Sequence, residues 1–283
     1  MPAAFFEHGV DELDRARGLV RHRADDSEPD RGRRYDSPIA GPPRLRSVAA
    51  AVAAAALVTP VGIAAPPPVT HVGRGADEVW ILRPRGVPKS VVVFGHGWST
   101  PEPSSAFAPW IAHLRARGSV VVYPRYRVGA GDSTAGALAA FEAGVRAAFR
   151  TLEPLRVPVV AVGKSFGGSA VFYYAASAGT WRVPSPVAVL SIFPAAPIGA
   201  LPPRPLPART RVEIFVGDAD TTAGSGGANA FWAWLSGHAR RRYVVVRSRT
   251  GFVANHDSAQ RSDAIARAVF WAPLDRLVAQ ARR

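Results

Sequence analysis

From residue 79 onward the chain alternates short apolar runs with longer stretches of helical period. Runs rich in Val and Ile occupy 79–82 (VWIL), 90–94 (SVVVF), 119–123 (SVVVY), 158–162 (PVVAV), 186–192 (PVAVLSI), 211–216 (RVEIFV) and 243–246 (YVVV). Their apolar character is continuous rather than alternating, as a strand buried on both faces requires, so they predict a mostly parallel sheet. Helical patterns near 106–117, 135–153, 167–178, 228–239 and 258–280 fall between them. Strand and helix in alternation predict an α/β architecture with helices on both faces of a central sheet. No repeat and no second domain interrupts the pattern, so residues 66–283 are expected to form one folded domain.

The first 65 residues read differently. Residues 1–46 are rich in Asp, Arg, Gly and Pro and lack an apolar period, so they are expected to be a disordered or mis-assigned extension. Two arginines, Arg44 and Arg46, then precede an uncharged apolar run from Val48 to Ala65, with Gly62 and Ala64 at the spacing of a cleavage site. Basic, apolar and small-residue regions in that order read as a signal peptide over 47–65, which predicts a secreted or envelope-associated protein. Pro60 and Gly62 make the run marginal as a permanent span, and a membrane anchor is the alternative.

Composition narrows the chemistry. With 48% hydrophobic residues in 283, the chain has ample material for a core, and with no Cys it has no disulfide, thiol nucleophile or thiolate metal site. The net charge of +14 lies outside the extension, whose nine Arg and nine acids cancel. Such a balance favours an anionic envelope surface as a partner. Nucleic acid is not expected, because the basic residues are scattered along the sequence apart from Arg240, Arg241 and Arg242, and no nucleic-acid module accompanies them.

The stretch 163–167, GKSFG, fits a G-x-S-x-G turn, a weak signal by itself in a chain with 26 Gly. Its setting strengthens it: a buried strand precedes it and a helix of small residues follows. That geometry lifts the Ser165 hydroxyl clear of the backbone, making it a candidate nucleophile. A serine needs a base, and the base needs an acid to orient it. No Asp or Glu occurs between Arg182 and Thr210, and Glu213 lies within a strand, so the acid is expected in the loop GDAD, as Asp220 in preference to Asp218. Two histidines follow. His238 sits at the end of a helical stretch, whereas His256 lies in the loop before the last helix and is the candidate general base. The backbone N–H groups of Trp98 and Phe166 are the candidate oxyanion donors.

HGW at 96–98, GKSFG at 163–167, GDAD at 217–220 and NHD at 255–257, in that order, resemble the α/β-hydrolase superfamily over roughly residues 69–280. The resemblance implies a sheet of about eight strands and a Ser165, Asp220, His256 triad with Trp98 and Phe166 as oxyanion donors. It also implies cleavage of carboxylic esters through an acyl-enzyme. An aromatic after the first-loop glycine is similar to secreted polyester-cleaving and lipase-like members. Amide or peptide hydrolysis on the same triad is the nearest alternative, and a non-catalytic protein binding anionic envelope surfaces is a second.

The proline-rich segment 193–210 is too short for a helical cap, so an open site is expected, lined by Trp98, Lys164 and Tyr126 with Phe107 and Trp110 as further candidates. Small or polymeric esters suit such a site. No His or Asp cluster has metal-ligand spacing, so neither metal nor cofactor is expected, and a monomer is.

Overall fold

The computed structural model describes residues 68–129, 131–153, 155–202 and 205–283. The expected extension over 1–46 and the signal-like segment 47–65 lie outside the described residues. Eight strands form one sheet: β1 (Val69–Val72), β2 (Val79–Leu82), β3 (Ser90–Gly95), β4 (Ser119–Pro124), β5 (Val159–Lys164), β6 (Ala188–Ile192), β7 (Arg211–Gly217) and β8 (Arg241–Val246). Their spatial order is β1-β2-β4-β3-β5-β6-β7-β8. β3 to β8 run parallel, and β1 and β2 are antiparallel additions at one edge. β1 was not visible as an apolar run because its residues, VTHV, alternate between exposed and half-buried at the margin of the sheet.

The helices are α1 (Ala108–Ala116), α2 (Thr134–Leu152), α3 (Phe166–Trp181), α4 (Gly226–Trp234), α5 (Ala264–Ala266) and α6 (Ala272–Ala281), the last two joined by a π-helical turn over Arg267–Trp271. Local chemistry sets their limits. Ser133 caps α2 by accepting the Gly136 N–H at 3.0 Å. The helix expected over 258–280 begins later, after a separate turn at Ser258–Gln260: Asp263 caps the Ile265 and Ala266 amides and the chain stays helical from Ala264 to Ala281.

Two apolar cores lie on opposite faces of the sheet. α2, α3 and α4 close one with Phe141, Val145, Phe172 and Phe231; α1 and α6 close the other with Trp110, Leu114, Trp271 and Leu274. α2 shows why it docks: Ala137, Ala140, Phe141, Gly144, Val145, Ala148 and Leu152 recur at three- and four-residue intervals and are its buried face. Phe107 and Trp110, considered as site lining, belong to this packing, since both are about 1% exposed and sit against Phe94. The parallel strands end together at one rim, where a crevice outside their carboxyl ends is the usual place for a site.

Candidate active site

Three loops at that rim carry the polar groups that meet. Ser165 follows β5 directly and begins α3 with φ 58° and ψ −122°, a left-handed backbone that a residue other than Gly adopts only under local strain. Glycines make the turn possible. A Cβ built on Gly163 would lie 2.1 Å from the Gly167 carbonyl oxygen, and one on Gly167 would lie 2.2 Å from the Gly95 carbonyl carbon. The strand and helix therefore touch through bare backbone, and the Gly167 N–H donates to the His96 carbonyl at 3.0 Å.

Asp220 lies just past β7 and His256 in the loop after β8. His256 Nδ1 is 2.9 Å from Asp220 Oδ2, and His256 Nε2 is 2.9 Å from Ser165 Oγ. A buried, ionised carboxylate facing Nδ1 fixes the proton there, which leaves Nε2 to accept from the serine hydroxyl. The other Asp220 oxygen accepts the Thr222 and Ala223 amides at 2.9 and 3.0 Å. Burial works to raise the Asp220 carboxyl, but the His256 hydrogen bond and these amides outweigh it and hold it below the ordinary carboxylate value.

Asp218, the acid passed over in sequence, accepts the Ser248 N–H and hydroxyl and so braces the β8 loop. His238 donates through Nε2 to the Thr210 carbonyl, 2.7 Å away, beyond the opposite ends of the strands. Neither the Trp98 nor the Phe166 N–H has an acceptor among the described residues. Their loops are tied by the Trp98 and Phe166 rings, whose centroids are 5.1 Å apart.

Two expected lining residues are placed otherwise. Tyr126 is fully buried and does not line the site: its ring stacks on His96 at 3.9 Å and its hydroxyl donates to the His96 carbonyl at 2.5 Å. It shapes the first loop from beneath. His96 itself is enclosed, and burial pushes its imidazole down to about 4 against the opposing pull of the Gly97 and Arg125 carbonyls, so it is neutral at pH 7. Lys164 also turns inward, with a side chain 5% exposed and Nζ 3.4 Å from Asp257 Oδ1. The signal was available, since every residue of β5 is buried and its last residue shares that fate.

Sequence reasoning missed Arg127, which lies 4.3 Å over the Trp98 ring and donates to the Trp98 carbonyl, holding the first loop in place. It missed Phe193 as well, a buried ring 6.3 Å from the His256 ring.

The Lys164 cation costs stability. Burial lowers its value below that of an ordinary lysine, with Asp257 and Asp220 pulling the other way. The unfolded chain then binds more protons than the folded one between the depressed value and about 10.4, so stability rises with pH through that window and the full cost is present below it. Removing the cation leaves Asp257, which is 77% exposed and readily hydrated. Lys164→Met is therefore expected to stabilise the protein by on the order of 1 kcal/mol at pH 7, with the gain shrinking toward pH 10. Thermal melts across that range test this, and a variant less stable than the parent at pH 7 would refute it.

Clefts of 430 to 910 Å³ indent the described surface away from Ser165, Asp220 and His256. Among the described residues no group of three or more His, Cys, Asp or Glu is placed to hold a metal ion.

Comparison with protein-family models and with curated proteins finds no match. Solved structures do resemble the chain. Esterase 2 of the planctomycete Thermogutta terrifontis is 19% identical with a TM-score of 0.59, over 76% of this chain and 92% of that one. MGS-M1, an α/β hydrolase from a Medee basin deep-sea metagenome library, is 13% identical with a TM-score of 0.55, over 75% and 98%. Esterase B from Lactobacillus rhamnosis, solved with a tributyrin phosphonate inhibitor, is 14% identical with a TM-score of 0.54, over 75% and 87%. The sheet order, the rim on which the polar groups meet and these likenesses together give the chain the α/β-hydrolase fold.

Proposed function

We propose that the protein is a serine-dependent carboxylic ester hydrolase working through an acyl-enzyme. The observation that carries this reading is the unbroken chain of hydrogen bonds from Asp220 through His256 to Ser165, whose backbone is strained at the strand-to-helix turn. His256 Nε2 takes the hydroxyl proton as Ser165 Oγ attacks the ester carbonyl, and the Trp98 and Phe166 N–H groups donate to the developing oxyanion. The tetrahedral adduct expels the alkoxide, which leaves with the proton from His256. Water, deprotonated by the same imidazole, then releases the acid and restores Ser165. Asp220 keeps the imidazole in the tautomer both half-reactions need.

Among the described residues no helix stands between β6 and β7, where a cap would be inserted, which supports short acyl groups or chains presented from a surface over a fully enclosed metabolite. Turnover of p-nitrophenyl esters of increasing chain length, with the matching anilides alongside, tests the reading. Asp220→Asn is expected to lower kcat by roughly 100-fold or more, and Asp218→Asn by less than about fivefold. Equal losses from both would overturn the assignment of Asp220, and cleavage of anilides in preference to esters would overturn that of the ester. Esterase 2 of Thermogutta terrifontis has been seen phosphonylated by cyclosarin, and a p-nitrophenyl phosphonate is the corresponding probe for Ser165 here.

A further inference from the structure

The cations that are scattered along the sequence gather at one end of the fold. Seven segments lie at the amino-terminal ends of the parallel strands, the end away from Ser165: residues 83–89, 115–118, 150–158, 182–187, 207–211, 235–242 and 282–283. Together they hold fifteen Arg or Lys and one acid, Glu153. At the opposite rim, segments 73–78, 96–107, 125–133, 164–166, 193–206, 217–225 and 247–263 hold seven cations and eight acids among the described residues. Essentially all the excess charge of the chain therefore sits on the base.

A bias toward Arg in the coding sequence explains the count but not this placement. Helix carboxyl ends also collect at the base and attract cations, yet five of them supply only about half a negative charge each, roughly one sixth of the excess. Two further acids offset base cations only in small part, Glu213 at 3.9 Å from Arg242 and Asp275 at 3.4 Å from Arg117 and 2.8 Å from His113. A cleft of about 910 Å³ opens here between Arg85, Lys89, Arg117 and Arg282 and has no acid in its lining.

We propose that this base is a docking face for an anionic phospholipid surface. Charge complementarity gives the attraction, since guanidinium groups pair with phosphates in two-pronged geometry. Two further features favour a bilayer over a soluble polyanion. Val87, 84% exposed, and Val69, 45% exposed, stand on the same end as apolar side chains that headgroups can bury. The chain also enters the fold there, because Val69 pairs with Leu82 at the base end of β1, and the apolar run Val48–Ala65 stands just before it in sequence. Docked in this way, the protein presents Ser165 away from the bilayer. The face is independent of whether Ser165 is a nucleophile.

The test is co-sedimentation of the full chain with vesicles of phosphatidylcholine alone or with about one third phosphatidylglycerol. The ratio of the two partition coefficients cancels any contribution from the apolar run, which does not sense charge. Arg85, Arg156 and Arg240 are exposed base residues, and Arg74, Arg247 and Arg249 are exposed rim residues. Changing either trio to Glu alters net charge equally.

The base variant is expected to lower the ratio by about 100-fold and the rim variant by less than about tenfold. Raising salt to about 1 M, where the screening length is about 3 Å, should bring the parent ratio toward one. Equal losses in the two variants would show that only net charge matters, and a parent ratio near one at low salt would show no attraction. Either result overturns the docking face. Release of bound protein by polyphosphate at matched phosphate concentration would overturn the membrane as its partner. Circular dichroism melts of both variants exclude misfolding as the cause of a loss.

Discussion

Ser165→Ala is expected to lower kcat for ester hydrolysis by roughly 10,000-fold or more while KM changes by less than about threefold. The reasoning follows the hydrogen bonds. Ser165 Oγ is the nucleophilic atom in the chain Asp220, His256, Ser165, and without it neither the imidazole nor the oxyanion donors have an adduct to stabilise. Substrate binding does not depend on that oxygen, so the loss falls on kcat. His256→Ala is expected to cost about as much, because the hydroxyl at neutral pH is a poor nucleophile without a proton acceptor at 2.9 Å. The double variant should then be no slower than either single variant, since the two groups act as one unit. Steady-state kinetics on p-nitrophenyl butyrate, with folding verified by melting temperature, measure all three. A Ser165→Ala protein that keeps more than about one tenth of the parent kcat would mean that the chemistry lies elsewhere.

The parts of this molecule that were legible in sequence are those fixed by local chemistry or by chain order. Five of the eight strands, β2 to β6, announced themselves because two-sided burial demands continuous β-branched runs; β7 and β8 showed apolar runs too although they are only partly buried, and β1 did not because one side of it is wet. Ser165 was readable from its strand, turn and small-residue helix. Asp220 came by elimination from an acid-free stretch, and His256 from its loop.

Side-chain direction was harder. Lys164 looked like a cation beside the substrate, yet it ends a strand that both cores cover and has nowhere to point but inward. Tyr126 looked like an exposed aromatic of a loop, yet that loop folds back so that its ring lies flat on His96 with an interplanar angle of 2°. Contacts of that kind join residues thirty positions apart and leave no periodic trace. The clustering of cations was hidden for a related reason: the segments that carry them are short and separated by whole strand and helix units, and only the parallel winding brings them to one end.

Gly163→Ala is expected to be among the most damaging single-methyl changes at the described glycines, costing roughly 4 kcal/mol or abolishing soluble expression. The new Cβ would stand 2.1 Å from the Gly167 carbonyl oxygen, 2.3 Å from its carbonyl carbon and 2.7 Å from the Gly168 nitrogen. All three are backbone atoms, so no side chain can rotate out of the way, and relief requires α3 to move off β5 by about 1 Å. That shift would break the 3.0 Å bond from Gly167 N–H to the His96 carbonyl and the 2.8 Å bond from the Ser191 hydroxyl to the Gly168 carbonyl. It would also carry the Phe166 N–H away from the Trp98 loop, so activity should fall further than stability alone explains. Gly179→Ala is the control, since it adds the same methyl within the same helix at a point with no heavy atom inside 4 Å. There the change should stabilise by about 0.5 to 1 kcal/mol through helix propensity and a less flexible unfolded chain. Urea unfolding of both variants beside the parent decides the matter. If Gly163→Ala unfolded within about 1 kcal/mol of the parent, the strand and helix could not be packed through bare backbone, and the strained turn that presents Ser165 would have to be built in some other way.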